Sequence, residues 1–321
     1  MIVWTKDVKK KIIFLDNNML QYQRDCQMKA FYNLTLGLVQ NEHTPATYFG
    51  TKYHEVQHVL WGHWVDKIGK LTKVWDLDAA FKVALDYDTS FENADKGKTA
   101  ERLRKATLEY ASYEDEKGSY KEFALENKTL LAEEFISFPI TKWIDGKGDF
   151  WDVHYCGQID RVLINSKKEV IVMDYKTTSW NQVMDNVWSH SPQFIGYIWL
   201  VEKIFPRYKT NRFLLDLFQM QAKIKNKFVR RFIDFPDWQI AEWEIKRIKE
   251  IHRLLDAMAP FEDSPRCTDY GGCPYSALCS HKEHEHPGIE SYMFKNIIWN
   301  IHGNIPVDRA GLGEFLEKRY S

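Results

Sequence analysis

The chain has 321 residues, 44% hydrophobic and 15% aromatic, enough to bury a substantial core in one large domain or two. With 44 basic residues against 45 acidic, there is no global basic field to advertise a nucleic-acid partner, so any such contact must come from local patches. Five cysteines, an odd number in a chain whose opening MIVWTKDVKKKIIF lacks the apolar core of a secretory signal, argue against a disulfide framework. The longest apolar stretch, FIGYIWLV (194–201), is far too short to cross a bilayer, so the expectation is a soluble, cytoplasmic protein with no membrane partner.

Residues 17–40 read as helix, with Leu20, Cys26, Phe31 and Leu34 among the less polar positions. A second helix is expected from Thr51 to about Ile68, after TPATYFG. Residues 72–127 are charged and irregularly apolar and read as helical, with a lysine-rich loop near Lys96–Lys98. The texture then changes. TLLAEEFISFPI (129–140), VHYCGQIDRVLI (153–164) and EVIVMDYKTT (169–178) alternate as strands, the last two joined by the turn NSKK (165–168). A helix starts at SHSPQF, where Ser191 can cap and Pro192 suits the first helical position, and it runs on through IGYIWLVEKIF. RFLLDLFQMQ and KFVRRFIDF predict a strand pair, 236–258 an amphipathic helix, and 280–321 a tail with little pattern. The basic run Lys223, Lys225, Lys227, Arg230 and Arg231 reads equally as a nucleic-acid patch or as a lysine-protected edge hairpin. This order predicts a mixed α/β core with added helices.

The chemistry is concentrated in CGQIDRVLINSKKEVIVMDYKTT (156–178). Side chains two apart in a strand share a face, so Asp174 and Lys176 point together while Tyr175 turns away, and the hairpin brings Asp160 alongside. Two converging carboxylates repel unless a divalent cation sits between them, and magnesium or manganese suits oxygen ligands of this kind. A surface hairpin with ordinary Asp–Arg and Asp–Lys ion pairs is the bland alternative. FGTKYHEVQHVL adds His54 early in a helix, and SPQFIGYIWL puts Gln193 and Tyr197 on one helical face.

Taken in order, GTKYH (50–54), GQID (157–160), DYK (174–176) and QFIGY (193–197) resemble the motifs of the PD-(D/E)XK nucleases, in the RecB-like branch that includes CRISPR-associated nuclease domains and phage-encoded exonucleases. The resemblance covers roughly residues 20–280. It implies a restriction-endonuclease-like α/β fold: a mixed sheet core flanked by helices, with an N-terminal helical region and a C-terminal iron–sulfur lobe. The segments would be 1–127 with the histidine motif and one cluster cysteine, 128–259 as the nuclease core, and 260–321 as cysteine cluster and tail. It also implies His54, Asp160 and Asp174 as ligands of Mg²⁺ or Mn²⁺, with the carbonyl of Tyr175 contributing. Lys176 would be the catalytic lysine, and Gln193 and Tyr197 would hold DNA and the site geometry. Glu134, in AEEFISF, stands where relatives carry a glutamate and is expected as a supporting residue.

CTDYGGCPYSALC places Cys267, Cys273 and Cys279 among turn-forming residues, one thiol short of a four-coordinate site, and Cys26 is the candidate fourth. The same resemblance implies a 4Fe–4S cluster stapling the two ends of the chain, with zinc as the rival metal. The relatives' spacing C-x2-C-x5-C is here C-x5-C-x5-C. His281, His284 and His286 follow closely and read as a solvated tail, one of them a stand-in ligand should Cys26 not serve; Cys156 reads as a buried core thiol. The expected activity is a metal-dependent exonuclease on DNA with free ends, in recombination, repair or replication, in a phage setting and so in host cytoplasm. A silent DNA-binding module working with a helicase or recombinase and a structure-specific endonuclease are the alternatives. Trp180 and Trp188 read either as base-stacking platforms or as core.

Overall fold

A computed structural model describes residues 6–7, 10–40, 44–60, 76–93, 97–117, 127–165, 169–178, 188–221, 224–256, 267, 272–298 and 305–306. In chain order, strands β1 (Lys6–Asp7) and β2 (Ile12–Leu15) precede helix α1 (Asn17–Asp25), a helical turn (Gln27–Ala30), a π-helical turn (Phe31–Thr35) and strand β3 (Leu38–Gln40). Helices α2 (Pro45–Leu60), α3 (Leu77–Leu85) and α4 (Ala100–Lys117) follow, then strands β4 (Asn127–Ile144), β5 (Phe150–Asn165) and β6 (Glu169–Thr178). After these come α5 (Pro192–Ile204), β7 (Lys209–Gln221), β8 (Ile224–Asp234), α6 (Asp237–Asp256), a turn of helix (Ser276–Cys279), α7 (His286–Met293) and β9 (Phe294–Ile298). The extension of the second helix past Leu60, the turn at 166–168, Lys96, Trp180, Lys223 and Gly271 lie outside the described residues. Among the described residues no helix is long and apolar enough to cross a membrane.

The single helix expected over 17–40 is broken, for local reasons. Asp16 caps α1 by accepting from the Met19 N–H at 2.8 Å, and Cys26 ends it in extended backbone, φ −169°. Gly37 then stands at φ +64°, where a Cβ would come within 2.8 Å of the Ile297 carbonyl oxygen, so only glycine lets the chain turn there. The segment past 280, which carries little pattern in sequence, is built into a sheet: β9 pairs antiparallel with β3 through Leu38↔Asn296, Val39↔Lys295 and Gln40↔Phe294.

The chain divides into two compact units that cut across its linear order. The first comprises residues 1–42, 137–157 and 241–321. In it β1 runs antiparallel to β2, and β2 parallel to the first half of β5, from Ile12↔Asp152 to Leu15↔Tyr155. Trp243 of α6 meets the Tyr155 ring edge-on at 5.0 Å, and Glu250 of α6 takes an ion pair from Arg24 of α1 at 2.9 Å. A separate cluster gathers Tyr32, Leu38, Tyr275, Leu278 and Phe294. Within it the Tyr275 ring stacks on Tyr32 at 5.5 Å and on Phe294 at 5.3 Å. Its hydroxyl donates to the Leu38 carbonyl at 2.7 Å and accepts from Asn33 Nδ2 at 3.1 Å.

The second unit comprises residues 43–136 and 158–240. The second half of β5 pairs antiparallel with β6, β6 parallel with β7, and β7 antiparallel with β8. The parallel step needs a crossover, which α5 supplies: Ser191 Oγ accepts from the Phe194 N–H at 3.4 Å, and Pro192 opens the helix. Val170 to Tyr175 of β6 are all buried, as a strand covered on both faces requires. Helix α2 lays Phe49, Tyr53, Val56 and Leu60 in one stripe at helical spacing, packed with Tyr175, Leu214 and Phe218. Tyr53 stacks on Phe218 at 5.1 Å. Each such side chain stabilises the fold by about 1.5–3 kcal/mol through removal from water. The result is a mixed sheet flanked by helices, as expected for the core.

Candidate metal centre

The core stripe of α2 fixes the place of His54. Tyr53 is anchored in the core, and the next residue is turned by one helical step out of it. Its Nδ1 comes to 3.2 Å from Asp160 Oδ2. Asp160 lies in β5 just before the ladder that begins Arg161↔Met173, a register that sets it beside Asp174 of β6. The same Oδ2 accepts from the Tyr175 N–H at 2.7 Å. Two residues along β6, Lys176 Nζ is 2.6 Å from Asp174 Oδ2. Asp174 and Lys176 therefore meet on β6, and His54 of α2 meets Asp160 of β5.

One carboxylate escaped the sequence. Among the described residues, His54, Glu133 and Asp160 each offer a ligand atom within 4.8 Å of the other two. The expectation named Glu134, but that side chain is exposed, and its neighbour takes the place. Glu134 is expected from the resemblance to relatives; in the structure Glu133 stands at φ +52°, left-handed backbone inside a strand, which interrupts the two-residue alternation there. The doubled glutamate of AEEF was the available signal, and alternation alone could not choose between its members. Gln158 Nε2 donates to Glu133 Oε2 at 3.0 Å, while Glu133 Oε1 is buried with no hydrogen-bond partner among the described residues.

The electrostatics describe carboxyls pushed together under burial. Burial, reinforced by the charge of Asp160, pushes Glu133 up to about 7. Burial likewise raises Asp174 to about 6, the attraction of Lys176 opposing it and the repulsion of Asp160 adding to it. For Asp160 burial also works upward, but the hydrogen bond and charge of His54, then Lys176 and the Tyr175 N–H, hold it below its ordinary value. Burial disfavours the imidazolium of His54, yet Asp160 and Asp174 raise it overall; Lys176 is raised in the same way by Asp174, Asp160 and Glu133 against burial. Among the described residues, Glu133, Asp160 and Asp174 thus gather around Lys176 and His54, with the Arg161 charge also acting on Glu133. An orphaned carboxylate oxygen and a mixed imidazole–carboxylate donor set fit a divalent cation such as Mg²⁺ or Mn²⁺. Asp174 is held by Lys176 and lies outside the three-residue group. The Tyr175 backbone meets the site through its N–H, which donates to Asp160.

Gln193 and Tyr197 meet each other, Nε2 donating to the hydroxyl at 3.0 Å, on the first turns of α5. Trp188 stacks on Phe194 at 5.6 Å, the second ring of a core pair, and Cys156 is a buried core thiol, 1% exposed. In the first unit, Cys273 and Cys279 pack against the Tyr275 cluster together with Met28 and Phe31, which follow Cys26 in the chain. The Cys273 N–H donates to the Cys267 carbonyl at 2.9 Å, and Cys267 is exposed. His281 Nδ1 and His286 Nε2 lie at 2.7 Å and 3.2 Å from backbone carbonyls of Ala277 and His281.

Comparison with known proteins adds an independent finding. The family model of the PD-(D/E)XK nuclease superfamily matches residues 19–280. A search of the curated proteins finds no match. Among solved structures, SSO0001 is similar at 11% identity over 84% of this chain and 86% of its own, with a TM-score of 0.35. A protein from Eubacterium rectale named as a candidate exonuclease is similar at 10% identity over 84% of this chain and 90% of its own, with a TM-score of 0.42.

Proposed function

The chain belongs to the PD-(D/E)XK nuclease superfamily, and we propose that it is a metal-dependent DNA exonuclease that hydrolyses phosphodiester bonds at free DNA ends. The observation that carries this reading is the gathering of His54, Glu133 and Asp160 within 4.8 Å, in the same unit as the 2.6 Å Asp174–Lys176 pair. His54, Glu133 and Asp160 would hold Mg²⁺ or Mn²⁺, with Asp174 as the further carboxylate. When bound, the cation supplies a Lewis acid for the scissile phosphate and acidifies an attacking water. Asp160 is kept ionised by His54 and aimed by the Tyr175 N–H. Lys176, kept protonated by the surrounding acids, offsets the charge that develops on the phosphate oxygens. Gln193 and Tyr197, bonded to each other, are assigned to holding the DNA strand.

The test uses end-labelled single- and double-stranded DNA beside closed circular DNA, each with Mn²⁺. Loss of label from linear DNA with the circle intact is the expected result. Nicking of the circle makes the enzyme an endonuclease. No cleavage by metal-loaded protein leaves a DNA-binding scaffold for a helicase or recombinase.

Cys26, Cys267, Cys273 and Cys279 are assigned to a 4Fe–4S cluster closing the first unit. What supports this is that Cys273 and Cys279 pack against the same Tyr275 cluster as Met28 and Phe31, which lie close in sequence to Cys26. Its part would be structural, since stapling so long a loop constrains the unfolded chain most. Anaerobically purified protein should absorb broadly near about 400 nm, and Cys26→Ser should bleach it. A colourless protein containing one zinc per chain gives the site to zinc.

A further inference from the structure

The acids of the site have a second layer behind them that the mechanism leaves unused. Arg161 follows Asp160 in β5 and is 2% exposed; Tyr175 lies between Asp174 and Lys176 in β6 and is 0% exposed. Strand alternation turns both side chains away from the face that carries the acids. On that hidden face Arg161 Nε donates to the Tyr175 hydroxyl at 3.3 Å, while on the acid face the Tyr175 N–H donates to Asp160 Oδ2 at 2.7 Å. The two strands are therefore tied twice at the level of the site, once on each side of the sheet. The Tyr175 ring also stands edge-on to the His54 imidazole, 6.0 Å between centroids and 89° between planes. One residue thus touches two of the three clustered groups, His54 and Asp160, and is covalently bonded to Asp174 and Lys176. A core position needs neither a guanidinium nor a phenol, because both lose hydration that leucine or phenylalanine would not miss. Their presence asks for a task.

We propose that Arg161 and Tyr175 are a positioning pair for this site. The guanidinium holds the phenol, the phenol fixes the ring and peptide of Tyr175, and that peptide sets the directions in which Asp160, His54, Asp174 and Lys176 meet a divalent cation. The proposal rests on the nuclease reading for its purpose, and neither residue touches the reacting atoms. Groups that orient metal ligands from behind commonly change metal affinity or activity by about 10–100-fold when removed.

Tyr175→Phe keeps the ring and removes only the acceptor; Arg161→Gln removes the charge, and Arg161→Lys keeps a donor. Mn²⁺ binding to the full-length protein is measured by titration calorimetry, beside kcat and KM on end-labelled DNA and thermal melting. Tyr175→Phe and Arg161→Gln should each weaken Mn²⁺ binding and lower kcat by about 10-fold or more with KM for DNA unchanged. The double variant should be no worse than the worse single one, because the pair acts as a unit, and Arg161→Lys should recover part of the loss. Wild-type Mn²⁺ affinity and kcat in Tyr175→Phe overturn the proposal, as do additive losses in the double variant or losses that follow melting temperature alone. If the unmutated protein binds Mn²⁺ without cleaving DNA, the nuclease reading fails while calorimetry still judges the pair. If it binds no Mn²⁺, both fall.

Discussion

Tyr275 in the first unit and Asp174 in the second are both buried polar side chains, 4% and 1% exposed, and they are treated in opposite ways. The Tyr275 hydroxyl donates to one partner and accepts from another, and its ring has an aromatic neighbour on either side. The chain itself completes that site. Around Asp174 burial raises two clustered carboxyls, and Glu133 Oε1 has no hydrogen-bond partner among the described residues. A divalent cation would complete it. The contrast separates polar groups that hold a fold together from polar groups that the fold holds ready.

The largest effect should come from the second kind. Asp174→Asn, which keeps shape and removes charge, should lower Mn²⁺-dependent cleavage by about 10²–10³-fold or more, read as initial rates on end-labelled DNA. Tyr275→Ala should instead lower stability by about 3–5 kcal/mol, read from urea midpoints, because it opens a cavity between two rings and orphans the Leu38 carbonyl. Comparable loss of cleavage and of stability in both variants would erase the distinction.

Asp216 of β7 sharpens the comparison, being a buried acid outside the three-residue group. It is 0% exposed and bonded by the Tyr110 hydroxyl at 2.7 Å, and burial pushes it from 3.8 to about 7 against that bond. A carboxyl with a raised folded-state value contributes stability that is full below the unfolded value and is lost as pH rises through the folded one. Unfolding free energy should therefore carry a component that declines between about pH 4 and about pH 7, on the order of 4 kcal/mol at most. Asp216→Asn should remove that component, measured as the difference from the unmutated protein across the same interval. The smallest effect is expected at Gly37→Ala, about 1–2 kcal/mol, from forcing a Cβ into left-handed backbone against the Ile297 carbonyl.

Much of the second unit was legible in sequence because its signals are periodic or local. The β6 strand EVIVMDYKTT, the Ser191–Pro192 helix start and the placement of His54 beside Asp160 follow from alternation, capping and motif order. Glu133 was not legible, since a backbone of φ +52° leaves no mark in a run of strand-forming residues. Nor was the breaking of 17–40 into a nine-residue helix, two helical turns and a strand. Its determinants are an extended Cys26, a left-handed Gly37 and a partner strand near residue 296, none of which the local pattern contains.

That distant partner strand has a temporal consequence. Asn296 Nδ2 donates to the Leu36 carbonyl, 260 residues back along the chain. At ribosomal speeds of about 5–20 residues per second, roughly 10–50 seconds separate the emergence of these two segments. All of 43–240 has been synthesised by then, so the second unit can fold while β3 still waits for its mate. The growing polypeptide thus carries an open strand edge through most of its translation, and that interval is when it is most exposed to mispairing with a neighbouring nascent chain.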